Sequence, residues 1–300
     1  MTTATSRGAN PRPHDGPSLA PSPASMPFGA PGIDVAPAAA SAPDMAPPRW
    51  TISVVSHRHG QAAAETLAAL SRQLGDVPHR LILTLNLPEA PPQLRLDRCG
   101  AGAQFELRQN TTPVGFAANH NAALAGQRHG HVMVADPDLV LTQPLFAQLE
   151  RWLEQSECGV VAPLALDAEG IPDDNGRDTP TPTRLLWRNI LRLRRGRAQY
   201  GPRQGTVGVS WVAGLFMAMR ADVFHDLGGF DAGYYMYCED VDLCLRARAR
   251  GLKVWLDTDL TIVHPARRRT FRSLRHLLWH LRSLLRLWAS PAYRTRAATE

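Results

Sequence analysis

Three hundred residues, 44% hydrophobic and 20% charged, leave room for one large domain or two small ones with a sizeable core. The net charge of +6 is uneven. Nine of the 33 basic residues but one of the 27 acids lie from Pro265 onward, so the basic balance belongs to a tail and points to an anionic partner there. No run reaches the roughly 18 consecutive apolar residues that span a bilayer, and no basic start leads into an apolar core as in a signal peptide. Cys99, Cys158, Cys238 and Cys244 show neither CxxC nor zinc spacing, which fits a reduced, cytoplasmic compartment.

Taken in order, Met1–Pro48 is Pro, Ala, Ser and Gly with few large apolar groups, too little to offset the entropy of ordering, and reads as disordered. Trp50–Ser56 is a β-branched run expected as a buried first strand, opening into the polar loop His57–Gly60. Leu67, Leu70 and Leu74 space a helix over Ala62–Leu74, which stops at Gly75. His79–Leu85 is a second strand ending at Asn86, Phe105–Arg108 a third, and Gly115–Gly126 a loop feeding a helix. His131–Ala135 is a fourth strand stopping at Asp136. Pro144–Gln155 is helical and Gly159–Pro163 a fifth strand. Asp167–Arg203 lacks periodicity and reads as a surface insertion or a flap. Ser210–Arg220 is expected as a buried strand pair or bend and Ala221–Leu227 as a short helix. Leu252–Leu256 and Leu260–His264 are expected as two strands closing the sheet. Strands alternating with helices argue an α/β fold over 49–265: a mostly parallel sheet with helices on both faces, ligands gathering at the strands' carboxyl ends. The loops after Ser56, Leu85 and Ala135 open on that side.

Within 266–300, Phe271, Leu274, Leu278, Leu281, Leu285 and Trp288 repeat at helical spacing, with Arg272, Arg275, Arg282 and Arg286 largely off that stripe. This basic amphipathic helix either docks on the domain or lies on an anionic membrane surface.

Two stretches carry chemistry. Gly228–Arg246 sets a Gly-Gly break and an aromatic run ahead of Glu239, Asp240 and Asp242. Val241, Leu243 and Leu245 follow as apolar positions, and Asp242 and Arg246 have helix-pair spacing. Glu239 and Asp240 are thereby placed near a helix N-terminus, where exposed N–H groups and the helix dipole stabilise a carboxylate. Such an acid accepts a proton from a substrate hydroxyl; an acidic N-cap among core aromatics is the competing reading. Asp136-Pro137-Asp138 projects two hard oxygen donors from one strand end, suited to a divalent ion carrying a diphosphate, although most such triplets are turns or caps. His264 ends the last strand; it is either a structural histidine or the third ligand of a mixed Asp/His site for Mn2+ or Mg2+.

These segments, in their order, resemble a family. Asn110, Gly115 to Asn121 (GFAANHN), Val134 to Asp138 (VADPD), Trp211 to Gly214 (WVAG), Gly229 to Asp231, Tyr237 to Arg246 (YCEDVDLCLR) and His264 are similar to the family-2 inverting glycosyltransferases, nearest the bacterial rhamnosyltransferase-like and galactofuranosyltransferase-like branch. The likeness covers Trp50 to Ser283. It implies a GT-A fold, a nucleotide-diphosphate sugar donor (dTDP-rhamnose or a UDP-sugar) and a divalent metal. The acceptor it implies is a lipid-linked or cell-surface glycan at the cytoplasmic face of the membrane. By position it makes Asp240 the general base, with Glu239 orienting the acceptor. Asp136, Asp138 and His264 become the metal ligands. The donor site becomes Ser56, Asn86, Asn110, Gly115, Asn121, Asp136, Trp211 and Gly214. Ser56–His59 and Leu85–Pro88 depart from the family's usual turns. The acid that ordinarily contacts the base is missing from them, and Asn86 is left to hydrogen-bond it. A glycosyltransferase fold kept as a non-catalytic binding or scaffold protein is the rival reading. Nucleic acid is not an expected partner, because the arginine tail lacks interleaved aromatic residues.

Overall fold

The computed structural model describes residues 33–34, 47–93, 95–183, 198–265 and 274–295. Its strands are β1 (Ile33–Asp34), β2 (Trp50–Ser56), β3 (His79–Leu85), β4 (Ala103–Asn110), β5 (His131–Ala135), β6 (Val140–Leu141), β7 (Cys158–Leu166), β8 (Gly176–Arg177), β9 (Thr206–Gly208), β10 (Trp211–Val212), β11 (Phe216–Arg220) and β12 (Lys253–Val263). Its helices are α1 (Gly60–Leu74), α2 (Phe116–Leu124), α3 (Phe146–Leu153), α4 (Ala221–Asp226), α5 (Glu239–Ala249), α6 (Leu274–Ala289) and α7 (Pro291–Thr295).

Alternate residues of the central strands face opposite ways, and both faces are buried. In β5, Met133 and Ala135 join one core with Trp50, Ile52 and Val54 of β2 and Leu67 and Leu70 of α1, while Val132 and Val134 join a second. In β11, Phe216 and Ala218 go to the first core, Met217 and Met219 to the second, beside Leu243 and Cys244 of α5. A helix layer therefore covers each face, as in a three-layer α/β domain. A third, smaller cluster ties Val241 and Leu245 of α5 to Leu284 and Leu287 of α6 and Tyr293 of α7.

Among the described residues the main sheet has ten strands in the order β1-β4-β3-β2-β5-β11-β7-β12-β6, with β9 beside β12, while β8 and β10 form a separate pair. The β2–β5 strands pair in parallel, as do β7 and β12. β11 is antiparallel to both its neighbours, β5 and β7. Two reversals cancel, so β7 and β12 run in the direction of β2–β5 and six carboxyl ends share one edge. The amino end of β11 comes to that same edge.

Three features differ from the sequence reading or add to it. The two closing strands expected from Leu252 to His264 are one strand, with a register shift between Asp257 and Thr261. The Asp257 carboxylate holds that irregularity, accepting from Trp152 Nε1 (2.8 Å) and from the amides of Asp259 (3.0 Å) and Leu260 (3.3 Å). Inside Met1–Pro48, Ile33 and Asp34 pair with Asn110 and Gln109; residues 1–32 and 35–46 lie outside the described residues, as do 184–197 of the expected insertion. The C-terminal helix docks on the domain, yet through Ser283, Leu284 and Leu287, and the leucines of its apolar stripe face outward. Phe271 and Arg272, read as part of that helix, lie outside the described residues.

Candidate active site

The shared strand edge gathers the acids and the imidazole. Asp136 follows β5 directly, its amide bonded to Leu215 O (2.8 Å), and His264 follows β12, its amide bonded to Leu166 O (2.8 Å). Thr66 of α1 donates to the carbonyls of Pro137 (3.0 Å) and Leu139 (3.3 Å), fixing the turn that carries Asp138. His264 Nε2 then lies 3.5 Å from a carboxylate oxygen of Asp136 and 3.5 Å from one of Asp138. One ligand atom from each of the three falls within 4.8 Å of the others. Two carboxylate oxygens and one imidazole nitrogen are a donor set that fits Mn2+ or Mg2+.

The electrostatics mark the group as under-neutralised. Burial alone would push the His264 imidazole down, but Asp138, Asp173 and Asp136 outweigh it and raise it to about 10. Desolvation, with Asp138 and Asp240 adding to it and His264 opposing, pushes Asp136 up to about 6. Asp138, hydrogen-bonded to the imidazole, is held below the usual carboxylate range. Three acids thus surround one imidazole.

Asp240 opens on the same edge because of the reversed strand. Gly214, in the turn ahead of β11, donates its amide to Asp240 Oδ2 (3.0 Å), and Val241 N donates to Oδ1 (2.8 Å). A Cβ on Gly214 would stand 2.8 Å from Phe116 Cζ, so only glycine brings this turn so close. Tyr237 and Cys238, ahead of α5, both take left-handed φ angles (72° and 68°), and this double kink delivers Glu239 and Asp240 into the first turn of the helix. Burial raises the Asp240 carboxyl and, with the Asp240 charge adding to it, the Glu239 carboxyl as well. Glu239 is buried, and its Oε2 has no hydrogen-bond partner among the described residues. Asp242 pairs with Arg246 one turn on (2.7 Å), as its spacing implied.

The residues expected to line the donor site fall into two kinds. Asn86 and Asn110 are buried; the Asn86 amide is spent on the protein, whereas Asn110 commits its Nδ2 and its Oδ1 has no hydrogen-bond partner among the described residues. Asn86 Oδ1 accepts from Asn110 Nδ2 (2.8 Å) and Val114 N (3.0 Å), while its Nδ2 donates to Val114 O (3.0 Å). Asn119, just along α2, accepts from Asn110 Nδ2 (2.8 Å) and donates to Gly115 O (3.1 Å). Asn121 clasps the Phe230 backbone at both N (2.8 Å) and O (2.7 Å), and so fixes the Gly228-Gly229 break. Gly115 lets its loop press on the Tyr235 carbonyl, which a Cβ would meet at 2.4 Å. Ser56 is buried and donates to Glu89 (2.6 Å), and the Trp211 indole donates to Asp178 O (3.0 Å). Hydrogen bonding of a base by Asn86 is therefore not supported: it shapes the loop that would hold one.

No protein-family model matches the chain. It is 28% identical over 187 residues to the rhamnosyltransferase WbbL of Escherichia coli K12, covering 58% of this chain and 70% of that protein. It is 28% identical over 215 residues to the N-acetylglucosaminyl-diphospho-decaprenol L-rhamnosyltransferase of Mycobacterium tuberculosis, covering 64% of this chain and 66% of that one. In fold it matches the mannosyltransferase PcManGT of Pyrobaculum calidifontis, solved with GDP-Man and Mn2+, with a TM-score of 0.50 at 17% identity over 89% of this chain and 76% of that one. The chain is rhamnosyltransferase-like in sequence, and its fold is the GT-A glycosyltransferase fold.

Two residues of this glycosyltransferase escape sequence reasoning. Asp173, on the return from β7, lies 3.9 Å from His264 Nδ1, the nitrogen opposite the acid pair. At that distance it faces the ring as an ion-pair partner, beyond hydrogen-bond range. Glu89, just past Pro88, accepts from Ser56 Oγ (2.6 Å) and from the amides of Arg58 (3.1 Å) and Gly60 (3.0 Å). An acid does reach the loop after β2, from the position one residue beyond Leu85–Pro88. An acid surrounded by other acids and turn formers, or following a proline, is an ordinary loop residue by pattern, and neither position carried a signal.

Proposed function

We propose that this protein transfers a sugar, rhamnose, from a nucleotide-diphosphate donor to a hydroxyl of a lipid-linked or cell-surface glycan acceptor, with inversion. Asp240 is the general base. The observation that carries this reading is a single edge holding two separate functions: an acid–imidazole cluster able to take a divalent ion, and a helix-terminal carboxylate oriented by the Gly214 amide. The two relatives support the sugar, and the Mycobacterium tuberculosis protein, named for a diphospho-decaprenol acceptor, supports the lipid-linked class.

Chemically, the acceptor oxygen forms a bond to the anomeric carbon as the bond to the diphosphate oxygen breaks on the opposite face. Asp240 takes the hydroxyl proton in that step, a contribution worth about 10²–10⁴ in rate. A divalent ion, Mn2+ or Mg2+, held by Asp136, Asp138 and His264 would supply neutralisation for charge on the departing diphosphate. Asp173 would keep the imidazole turned toward it. A peripheral place at the inner face of the cell membrane follows from such an acceptor.

The test is calorimetry and product mass spectrometry with dTDP-rhamnose, UDP-sugars and GDP-mannose, each with Mn2+ and with a chelator. One donor should bind and turn over with metal only. Folded protein that binds no donor would favour the scaffold reading, and transfer undiminished by chelator would remove the metal from the scheme.

A further inference from the structure

The outward face of α6 is left over once the helix has docked. At about 100° per residue, Leu274, Leu278, Leu281 and Leu285 fall in one narrow sector; they are 81%, 66%, 49% and 65% exposed. The buried positions Ser283, Leu284 and Leu287 lie on the other side of the helix and already secure it against the domain. Fold stability therefore accounts for the inner residues and leaves the leucine row without a role. A contiguous apolar row on a soluble surface marks an interaction site.

Charge decides what the row meets. Between Leu274 and Thr295 the chain has no acidic residue, and Arg275 and Arg282 border the leucines along one flank. Arg275 lies over the Trp279 ring (4.6 Å), and Trp288 closes the far end, its indole bonded to Pro180 O (3.0 Å). Arg267, Arg268, Arg269 and Arg272 precede the helix in sequence. A narrow leucine row with cations at its border and indoles beside it is the composition of a helix lying in the plane of a lipid headgroup layer. No helix among the described residues is long and apolar enough to cross a membrane.

We infer that the Leu274–Leu285 face of α6 docks on an anionic lipid surface, laying the helix in the headgroup layer. The inner side of the same helix is wired to the segment that leads into Asp240. Tyr237 Oη and His276 Nδ1 are 2.9 Å apart, Ser283 Oγ donates to Met236 O (2.8 Å), and Arg286 forks onto Asp231 (2.7 and 2.9 Å). Docking thus sets the base-bearing segment against the lipid. The link to a lipid-borne acceptor rests on the proposed function; the docking itself does not.

Full-length protein is sedimented with vesicles of phosphatidylglycerol and phosphatidylcholine and with phosphatidylcholine alone. Binding is expected to the anionic vesicles and to weaken with added salt. The double variant Leu278→Gln/Leu281→Gln, at exposed positions, should keep the circular dichroism and melting temperature of the parent and lose about tenfold or more in vesicle affinity. Equal binding by that variant, or a parent that binds neither vesicle, overturns the assignment. So does a parent that is a dimer by light scattering and becomes monomeric in the variant without binding lipid, since the face would then meet a second copy. Calorimetry with donor on the same samples separates the two ideas: vesicle binding without donor binding sinks the transferase reading alone, and the converse sinks only the docking.

Discussion

The asparagines behind the donor loops and the acids in front of them teach different lessons about polar groups at one edge. Asn86, Asn119 and Asn121 give their amide groups to neighbouring backbone, and Asn86 and Asn119 also accept from Asn110, so their removal should cost shape. Asp136, Asp138 and Asp173 instead crowd like charges beside one imidazole, with the Asp240 charge adding to the burden on Asp136, a grouping that burial disfavours without a ligand to repay it. Satisfied neutral groups build the frame, and under-neutralised charged ones are those the proposed function assigns to a cation and a substrate.

The sharpest challenge is Asp240→Asn, which keeps the Gly214 contact but removes the proton acceptor. The turnover number should fall about 10³-fold with donor affinity within about twofold, read by steady-state kinetics and calorimetry. A variant keeping more than a few per cent of turnover would break the assignment. Next, His264→Ala should weaken Mn2+ binding about 100-fold and Asp173→Asn about tenfold, measured by titration calorimetry. If Asp173→Asn leaves Mn2+ affinity unchanged, Asp173 belongs with the frame.

The pH dependence follows from the same crowding. The His264 proton, held up to about pH 10, must leave before the imidazole can ligate. Mn2+ affinity should therefore fall about tenfold for each pH unit between 9 and 7, with one proton released per ion. Below about pH 6, where Asp136 also takes up a proton, the fall should steepen. Proton release is read by calorimetry in buffers of different ionisation enthalpy. The smallest functional effect is expected from Asn119→Ala. It should cost about 2 kcal/mol in urea unfolding and leave Mn2+ affinity unaltered; lost metal affinity at full stability would erase the contrast.

Much of this was legible in the chain. Trp50–Ser56, His79–Leu85 and His131–Ala135 have the limits read for them, because apolar β-branched runs ended by polar loops leave strands little room to slide. Asp136 and His264 were recognisable as strand-end residues once parallel strands were inferred. What pattern alone does not carry is contact at long range. Asp173 and Glu89 acquire meaning only when their loops fold back on His264 and Ser56. The continuity of β12 past Asp257 depends on Trp152, about a hundred residues earlier. Periodicity found the stripe on α6 without telling which side of the helix the domain would claim.

The left-handed pair Tyr237 and Cys238 has an implication for anyone seeking a hardier protein. Each such residue stores about 1–3 kcal/mol of backbone strain, so a screen for thermal tolerance would be drawn to glycine or asparagine at these two positions. Relaxing them would let the first turn of α5 drift and carry Asp240 off the Gly214 amide. Hardness gained there would be taken from the one carboxylate whose aim matters most.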